Sequence, residues 1–337
     1  MTYLTMGASS VMLQGSLRLI ILHLVVILFA CVGITSSAAT YPERPIRVII
    51  PLPPGGAVDV VARLLQPHLE KALGQSMVIE NRPGASGIIG AAAVANAEPD
   101  GHTLLMVPTT FTINPAVHAS LPFDALRSFE PIIIIGRNSL LFLINADVKA
   151  TDLQDFVRLA KSQPGKLNYA TPGASSQAHL LLELWTSQAG ISMQHLPYRG
   201  GAPAVMATVA GEAQLTLISP TASLPQITAG KLRALATGGQ AREDRLPDVP
   251  TAAEAGFPNF LALQWIGLLA TGGTPLPIVE RLNTEIQRVL QTKSFQARLE
   301  EQGMAPAGGP PNEFRALIGA EIRQWTEVAR KAKIESK

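Results

Sequence analysis

Cysteine is all but missing: Cys31 is the only one in 337 residues, and it lies in the N-terminal leader. The rest of the chain has no thiol for a disulfide, a redox centre or a thiolate metal site, so its stability must come from its core. Charge is sparse too. At 15% charged residues and a net charge of +2, the chain lacks the basic footprint of a nucleic-acid partner. Its single long apolar block, residues 19–32, falls short of the roughly 20 residues that span a bilayer. No sequence repeat or low-complexity segment stands out.

The leader contains no Asp or Glu. Arg18 precedes the apolar block, and Ser36-Ser-Ala-Ala39 follows it. This basic, apolar, small-residue order marks residues 1–39 as a secretory signal peptide, cut after Ala38 or Ala39, and predicts an exported, periplasmic protein. Leu28-Phe-Ala-Cys31 is a poor acylation box because Phe29 is bulky, so Cys31 is read as a passive leader residue.

Past the leader the pattern alternates. Val48 to Ile50, Met77 to Glu80 and Thr103 to Val107 read as strands, separated by helices over 58–73 and 87–97; this is the signature of a helix-covered parallel sheet. Pro67 is expected to kink the first helix. Apolar runs at 129–135 and 140–144 are split by Gly136-Arg-Asn138. A second alternating series follows: strands near 167–170, 194–198, 215–218 and 232–236, with helices near 152–162, 177–188, 203–210 and 222–229. The run 261–270 and helices over 275–290 and 314–325 have no further strands with them and are expected to pack back on the first lobe. The fold class is therefore α/β, with two lobes and two crossings, near 136–140 and 260–268. The ranges are 40–137 for the first part of lobe 1, 138–265 for lobe 2, and 266–337 for the return to lobe 1. Such a hinge suits a cleft that closes on a ligand.

Enzyme signatures fail. Gly84-Ala-Ser-Gly87 lacks the final glycine of G-x-S-x-G, since Ile88 stands there. Gly84, Gly87 and Gly90 are spaced by three, unlike the dinucleotide fingerprint, and no P-loop occurs. His68, His102, His118, His179 and His195 show no ligand spacing, so neither a metal nor a cofactor is expected. What remains is a pair of small-residue loops ahead of helices. In the first, Pro54, Gly55, Gly56 and Ala57 make either a tight turn or an anion site that uses backbone N–H groups and the positive helix end. In the second, Thr171, Gly173, Ala174, Ser175 and Ser176 either cap the next helix or hold an anion with hydroxyls and amides. Asp59 fits the first turn of its helix as a dipole partner. Arg82 and Arg199 are read as solvated or structural, His179 as a helix-face hydrogen-bonder, and Trp265 as core or as a cleft wall.

Several segments together resemble one family. They are Tyr41-Pro-Glu-Arg-Pro-Ile-Arg47, Pro53-Pro-Gly-Gly56 with Asp59, Glu80-Asn-Arg-Pro-Gly-Ala-Ser-Gly87, Pro99-Asp-Gly-His-Thr-Leu104, Pro197-Tyr-Arg-Gly-Gly201, Ala229-Gly-Lys-Leu-Arg-Ala-Leu-Ala236 and Leu246-Pro-Asp-Val-Pro-Thr251. Their order and content are similar to the Bug family, the substrate-binding receptors of tripartite tricarboxylate transporters. The resemblance implies a type II periplasmic binding-protein fold, a small organic acid in the cleft, and delivery to membrane permease subunits. It also implies that the loops 54–57 and 171–176 grip a carboxylate. Two departures stand out: Ser175 replaces a usual Gly, and Ile218 replaces a usual Asp, which predicts a ligand with an apolar or aromatic body rather than an amino acid. The protein is expected to act as a monomer. Competing expectations are an extracytoplasmic enzyme acting on a carboxylate and a ligand sensor for a signalling partner.

Overall fold

The computed structural model describes residues 41–174, 176–331 and 334. The signal-peptide reading and Ser175 fall outside the described residues. The chain divides after Glu43, and both sheets lie within the unit Arg44–Lys337. No helix among the described residues is long and apolar enough to cross a membrane.

Sheet one has the order β11-β4-β10-β3-β1-β2. Its strands are β1 (Ile46–Ile50), β2 (Met77–Asn81), β3 (Thr103–Pro108), β4 (Phe129–Ser139), β10 (Leu263–Thr271) and β11 (Ala305–Gly308). Sheet two has the order β7-β6-β8-β5-β9, from β5 (Leu141–Asn145), β6 (Asn168–Thr171), β7 (Gln194–Pro197), β8 (Leu215–Ile218) and β9 (Leu232–Thr237). Strands β1, β2 and β3 run parallel, as the alternating pattern predicts, with Val48 beside Ile79 and Leu104. Val48 to Ile50 is buried without alternation because helices cover both faces of the sheet. On the other side of the sheet, β10 is antiparallel to both β3 and β4, and β11 adds an edge to β4. Each sheet is thus mixed.

The helices are α1 (Ala57–Leu73), α2 (Ile88–Ala95), α3 (Thr110–Val117), α4 (Leu153–Ser162), α5 (Gln177–Ala189), α6 (Gly201–Val209), α7 (Pro220–Thr228), α8 (Leu276–Leu290), α9 (Lys293–Glu301) and α10 (Pro311–Lys331). Helix α1 buries Val58, Val61, Leu65 and Leu69 at helical spacing and ends at Gly74, whose φ of 71° suits glycine. Pro67 removes one donor without ending the helix. Gly136, read as a break, instead lies inside β4, where a Cβ would crowd Leu299, Met304 and the Ala305 carbonyl at 3.2–3.4 Å. Three elements went unread. Helix α3 begins in Pro-Thr-Thr and contains Pro115, α9 is a short polar helix, and β11 is a strand of Ala, Pro and Gly. The last of these supplies a strand where none was expected beside the C-terminal helices.

The chain leaves sheet one after Ser139, enters sheet two at Leu141, and returns by Leu263. Its last helix belongs to both cores. Phe314 and Ile318 pack with Trp265, Phe129 and Leu269 in the core of sheet one. Trp325, Val328 and Ala329 pack instead with Trp185, Phe142 and Phe156 in the core of sheet two, which Ile113 and Val117 of α3 also join. Gly267 makes the first of these packings possible: a Cβ there would lie 2.3 Å from the Phe314 ring.

Trp325 is 3% exposed and its Nε1 has no partner among the described residues. Trp325→Ala should therefore lower unfolding stability by about 3–5 kcal/mol, the cost of emptying a large aromatic site. Trp325→Phe, which also deletes the unpaired N–H, should cost less than about 1.5 kcal/mol. Urea unfolding of both variants checks the contrast.

Candidate functional site

The C-terminal ends of β1 and β3, the start of β10 and the first turns of α5 and α7 surround a cavity of about 550 Å³ between the lobes. Its lining contains the beginnings of four helices. Ala57 and Val58 belong to α1, Thr109 and Thr110 to α3, Gln177 to α5, and Ser219, Thr221 and Ala222 to α7. Each helix start carries N–H groups with no intrahelical acceptor, together with the positive end of the helix dipole. At α1, α3 and α7 no side chain caps those groups, although Thr109 and Ser219 stand at the cap positions of α3 and α7. Only α5 has a side-chain cap: Ser176 Oγ accepts from the His179 amide at 3.3 Å.

The walls are apolar and neutral. Leu52, Val60, Pro108, Trp265, Ile266 and Met304 supply hydrocarbon and ring surface, while Asn138, Gln264 and Gln302 supply amides. Among the described residues lining the cavity there is no Asp, Glu, Lys, Arg or His. The site therefore holds converging positive partial charge without a single formal cation, an arrangement that receives an anion without first desolvating a basic side chain. No group of three or more His, Cys, Asp or Glu suited to a metal occurs among the described residues.

Of the loop residues singled out, Gly55 and Ala57 line the cavity, and exposed Pro54 and Gly56 flank them. The Gly55 amide is already used, donating to Asp59 Oδ2 at 3.0 Å, and Arg63 Nε donates to the same oxygen at 3.0 Å. The Arg63 bond holds the Asp59 carboxyl below its usual range, against the opposing effect of burial. Asp59 thus pins the loop rather than facing the cleft. The second loop reaches the cavity through Gln177. Thr171 is fully buried, and its Oγ1 lies 2.7 Å from His195 Nε2 and 3.0 Å from the Gly173 carbonyl, so its hydroxyl is spent on loop shape. Gly173 and Ala174 are not among the cavity-lining residues, and Ser176 serves as the cap of α5.

Under that loop, Tyr169, His195 and His179 form a stack, with the two imidazoles 3.8 Å apart and nearly parallel. Burial pushes both histidines down, His195 to about 4, so the stacked rings are neutral near pH 7. Tyr169 donates to Glu183, and burial raises its phenol.

Trp265 is both wall and core. It lines the cavity and its Nε1 donates to Glu321 at 3.0 Å, while Thr112 Oγ1 lies 2.7 Å from the same carboxylate. Burial raises the Glu321 carboxyl above its ordinary value despite those two bonds. Ile218 does not shape the cleft. It packs with Leu141, Leu143, Val205 and Leu232 behind β8, its Cδ1 filling the space beside Gly201, and the next residue, Ser219, is the one that lines the cavity. Arg82 is paired with Glu80, Arg199 is exposed, and neither lines the cavity. Sequence reading missed Thr109, Thr110, Ser219, Thr221 and Gln177; the usable signal was Thr or Ser directly after an apolar strand, an N-cap pattern.

A depressed carboxyl stabilises the fold above its unfolded-state pKa, and that contribution is lost as pH falls through the folded pKa. Asp59→Asn should therefore lower the melting temperature at pH 7, and the gap from wild type should close in acid once the native carboxyl is also protonated. Melting curves from neutral to acid pH test this; a gap constant across the range would contradict it.

Residues 61–334 match TctC, the tripartite tricarboxylate transporter family receptor. Protein BugT of Bordetella pertussis (strain Tohama I) is 36% identical over 314 residues, covering 92% of this chain and 96% of BugT. The solved structure of R. palustris Rpa4515 with adipate superposes with a TM-score of 0.76 at 34% identity, covering 87% of this chain and 98% of that one. MatC from Rhodopseudomonas palustris with bound malate superposes with a TM-score of 0.72 at 32% identity, covering 86% and 99%. Common fold, common length and sequence identity above 30% agree: the chain belongs to the TctC family of tripartite tricarboxylate transporter receptors, two-lobe solute-binding proteins.

Proposed function

We propose that this receptor captures a small organic carboxylate with an apolar or aromatic body in the periplasm and delivers it to the membrane subunits of a tripartite tricarboxylate-type permease. The observation that carries this reading is the convergence of four helix N-termini on one cavity whose described lining has no charged side chain. Backbone N–H groups suit a carboxylate, whose oxygens accept several bonds at once. The apolar walls suit the rest of the solute. An ammonium group would meet positive helix ends and no counter-charge, which disfavours amino acids.

Family context agrees. The relatives solved with adipate and malate hold carboxylates, and receptors of this family are periplasmic. Loops 54–57 and 171–176 remain the proposed grips, the first through the free amides at the start of α1 and the second through the start of α5.

Thr110 offers a sharp test because one physical effect gives opposite signs. Thr110→Asp places a carboxylate at the first position of α3, where it favours the helix dipole and should hold or raise the melting temperature. The same charge faces the ligand and should weaken carboxylate binding on the order of 10- to 100-fold. Isothermal calorimetry with benzoate, adipate and malate on solute-stripped protein reads the binding arm. Aspartate or glutamate binding more tightly than every aliphatic and aromatic acid tested would overturn the ligand class.

A further inference from the structure

The interlobe cavity has a neighbour of opposite character. A second cavity of about 480 Å³ adjoins it, and the two share Asn138 and Met304 in their linings. Thr221 and Gln302, joined by a hydrogen bond, line the first; Pro220 and Gly303, next to them in the chain, line the second, so that contact stands between the two. Where the first lining carries no charge, the second carries Arg137, Arg242 and Arg245 together with Glu243, Asp244 and Glu300. Some of these are committed. Arg242 forks onto Glu254 and reaches the Pro247 carbonyl, and Glu243 accepts from Ser139 Oγ. Arg245 gives one Nη2 bond to the Glu300 carbonyl at 2.8 Å and keeps its Nε and Nη1 donors. Arg137, Asp244 and Glu300 are exposed, and their side chains make no hydrogen bond or ion pair among the described residues; the Arg137 charge is felt at Glu321 without contact.

We propose that this second cavity binds a small zwitterion, a solute with one carboxylate and one ammonium group, of the amino-acid or short-peptide class. Arg137 and Arg245 take the carboxylate, and Asp244 and Glu300 take the ammonium. The placement of the charges selects this chemistry. Arg137 on β4 and Glu300 on α9 stand on the side of sheet one; Asp244 and Arg245 stand in the loop after β9, on the side of sheet two. Each side thus offers one open cation and one open carboxylate. A plain anion drawn by the arginines is repelled by three carboxylates in the same lining, and a plain cation meets the converse. A solute carrying both charges satisfies both sets, while Leu263, Met304 and Ala305 supply apolar surface for its body. An exposed pair adds little alone, so the site depends on several pairs at once and weakens with salt. The inference stands apart from the carboxylate reading of the first cavity, whose uncharged lining and converging helix ends disfavour an ammonium.

The experiment uses protein expressed from the full chain, stripped of co-purified solute, and follows binding by ligand-observed NMR titration. The probes are L-alanine, γ-aminobutyrate and alanyl-alanine, which space the two charges differently, with propionate and propylammonium as singly charged controls. At least one zwitterion should bind roughly 10-fold or more tightly than either control, and the best of the three reports the spacing of the charges and whether an amino acid or a peptide is the better fit. Arg137→Gln and Asp244→Asn should each weaken that binding on the order of 10-fold, and raised salt should weaken it in the wild type. Both side chains are exposed and unpaired, so the two variants should melt within about 2 °C of the wild type, which separates loss of the site from loss of the fold. Propionate or propylammonium binding as tightly as every zwitterion overturns the proposal. So does displacement of the zwitterion by benzoate, which places it in the first cavity, or binding that neither substitution changes. Binding of none of the three zwitterions overturns it as well, and leaves the carboxylate reading in place.

Discussion

An α-helix that starts without a capping side chain leaves its first N–H groups pointing along its axis with nothing to bond, and this protein places three such starts on one cavity. Most other features of the interlobe region serve that placement. Strands β1, β3 and β8 stop where the cavity begins, and the residues that turn each chain into its helix are small or hydroxylated: Gly55-Gly56, Thr109-Thr110 and Ser219. Thr109 and Ser219 stand at cap positions and could satisfy their own helices, but their hydroxyls do not do so; Thr109 Oγ1 accepts from the Trp265 amide instead. The first N–H groups of these helices thus line the cavity without a side-chain cap.

Neutral donors have a consequence that arginines would not. A guanidinium at the cavity wall attracts any anion, and its own desolvation must be offset each time the cleft closes. Peptide dipoles fixed in helices are already oriented, so they stabilise a carboxylate with little further reorganisation. The side chains that frame them are Trp265, the hydrocarbon of Leu52, Val60 and Met304, and the amides of Asn138, Gln177 and Gln264. Trp265 is held from behind, by Glu321 on α10 and by the Phe314 ring that Gly267 admits.

Much of this was legible in the sequence, for physical reasons that differ by element. The alternation over 46–107 and 141–237 exposed both α/β series because each apolar run is bounded by Gly, Pro or small polar residues. Helix α1 was readable from its Val61, Leu65 and Leu69 stripe and the Gly74 stop. Helix α3 was hidden because Thr, Asn and Pro115 all argue against helix locally; its burial between α10 and the cores overrides propensity. Strand β11 was invisible because Ala, Pro and Gly carry no β signal, and its pairing with β4 makes it a strand. At the site, the glycine loop was legible, but no local pattern shows that Asp59 takes the Gly55 amide, or that the Thr171 hydroxyl lies against His195. Ile218 misled for a related reason. A departure from a family pattern marks a position, but which face of β8 it occupies is settled only by packing against Gly201 and Val205.

The last helix constrains how such a cleft can work. Phe314 and Ile318 anchor α10 in one core, Trp325 and Val328 in the other, and Glu321 between them holds the cavity wall through Trp265. Two strand crossings alone would permit a wide swing, but a helix buried in both cores resists it, since packed side chains do not slide freely. Ile113 and Val117 of α3 add a second tie of the same kind. Elsewhere the lobes also touch through single polar bonds rather than packed side chains: Thr221 to the Gln302 carbonyl, Arg245 to the Glu300 carbonyl and Gln177 to the Leu263 carbonyl. Gly303 is shaped for that contact, since its φ of 70° suits glycine and a Cβ there would lie 2.0 Å from Thr221 Oγ1. Two of these bonds, from Thr221 and from Gln177, border the same cavity as the uncapped helix starts.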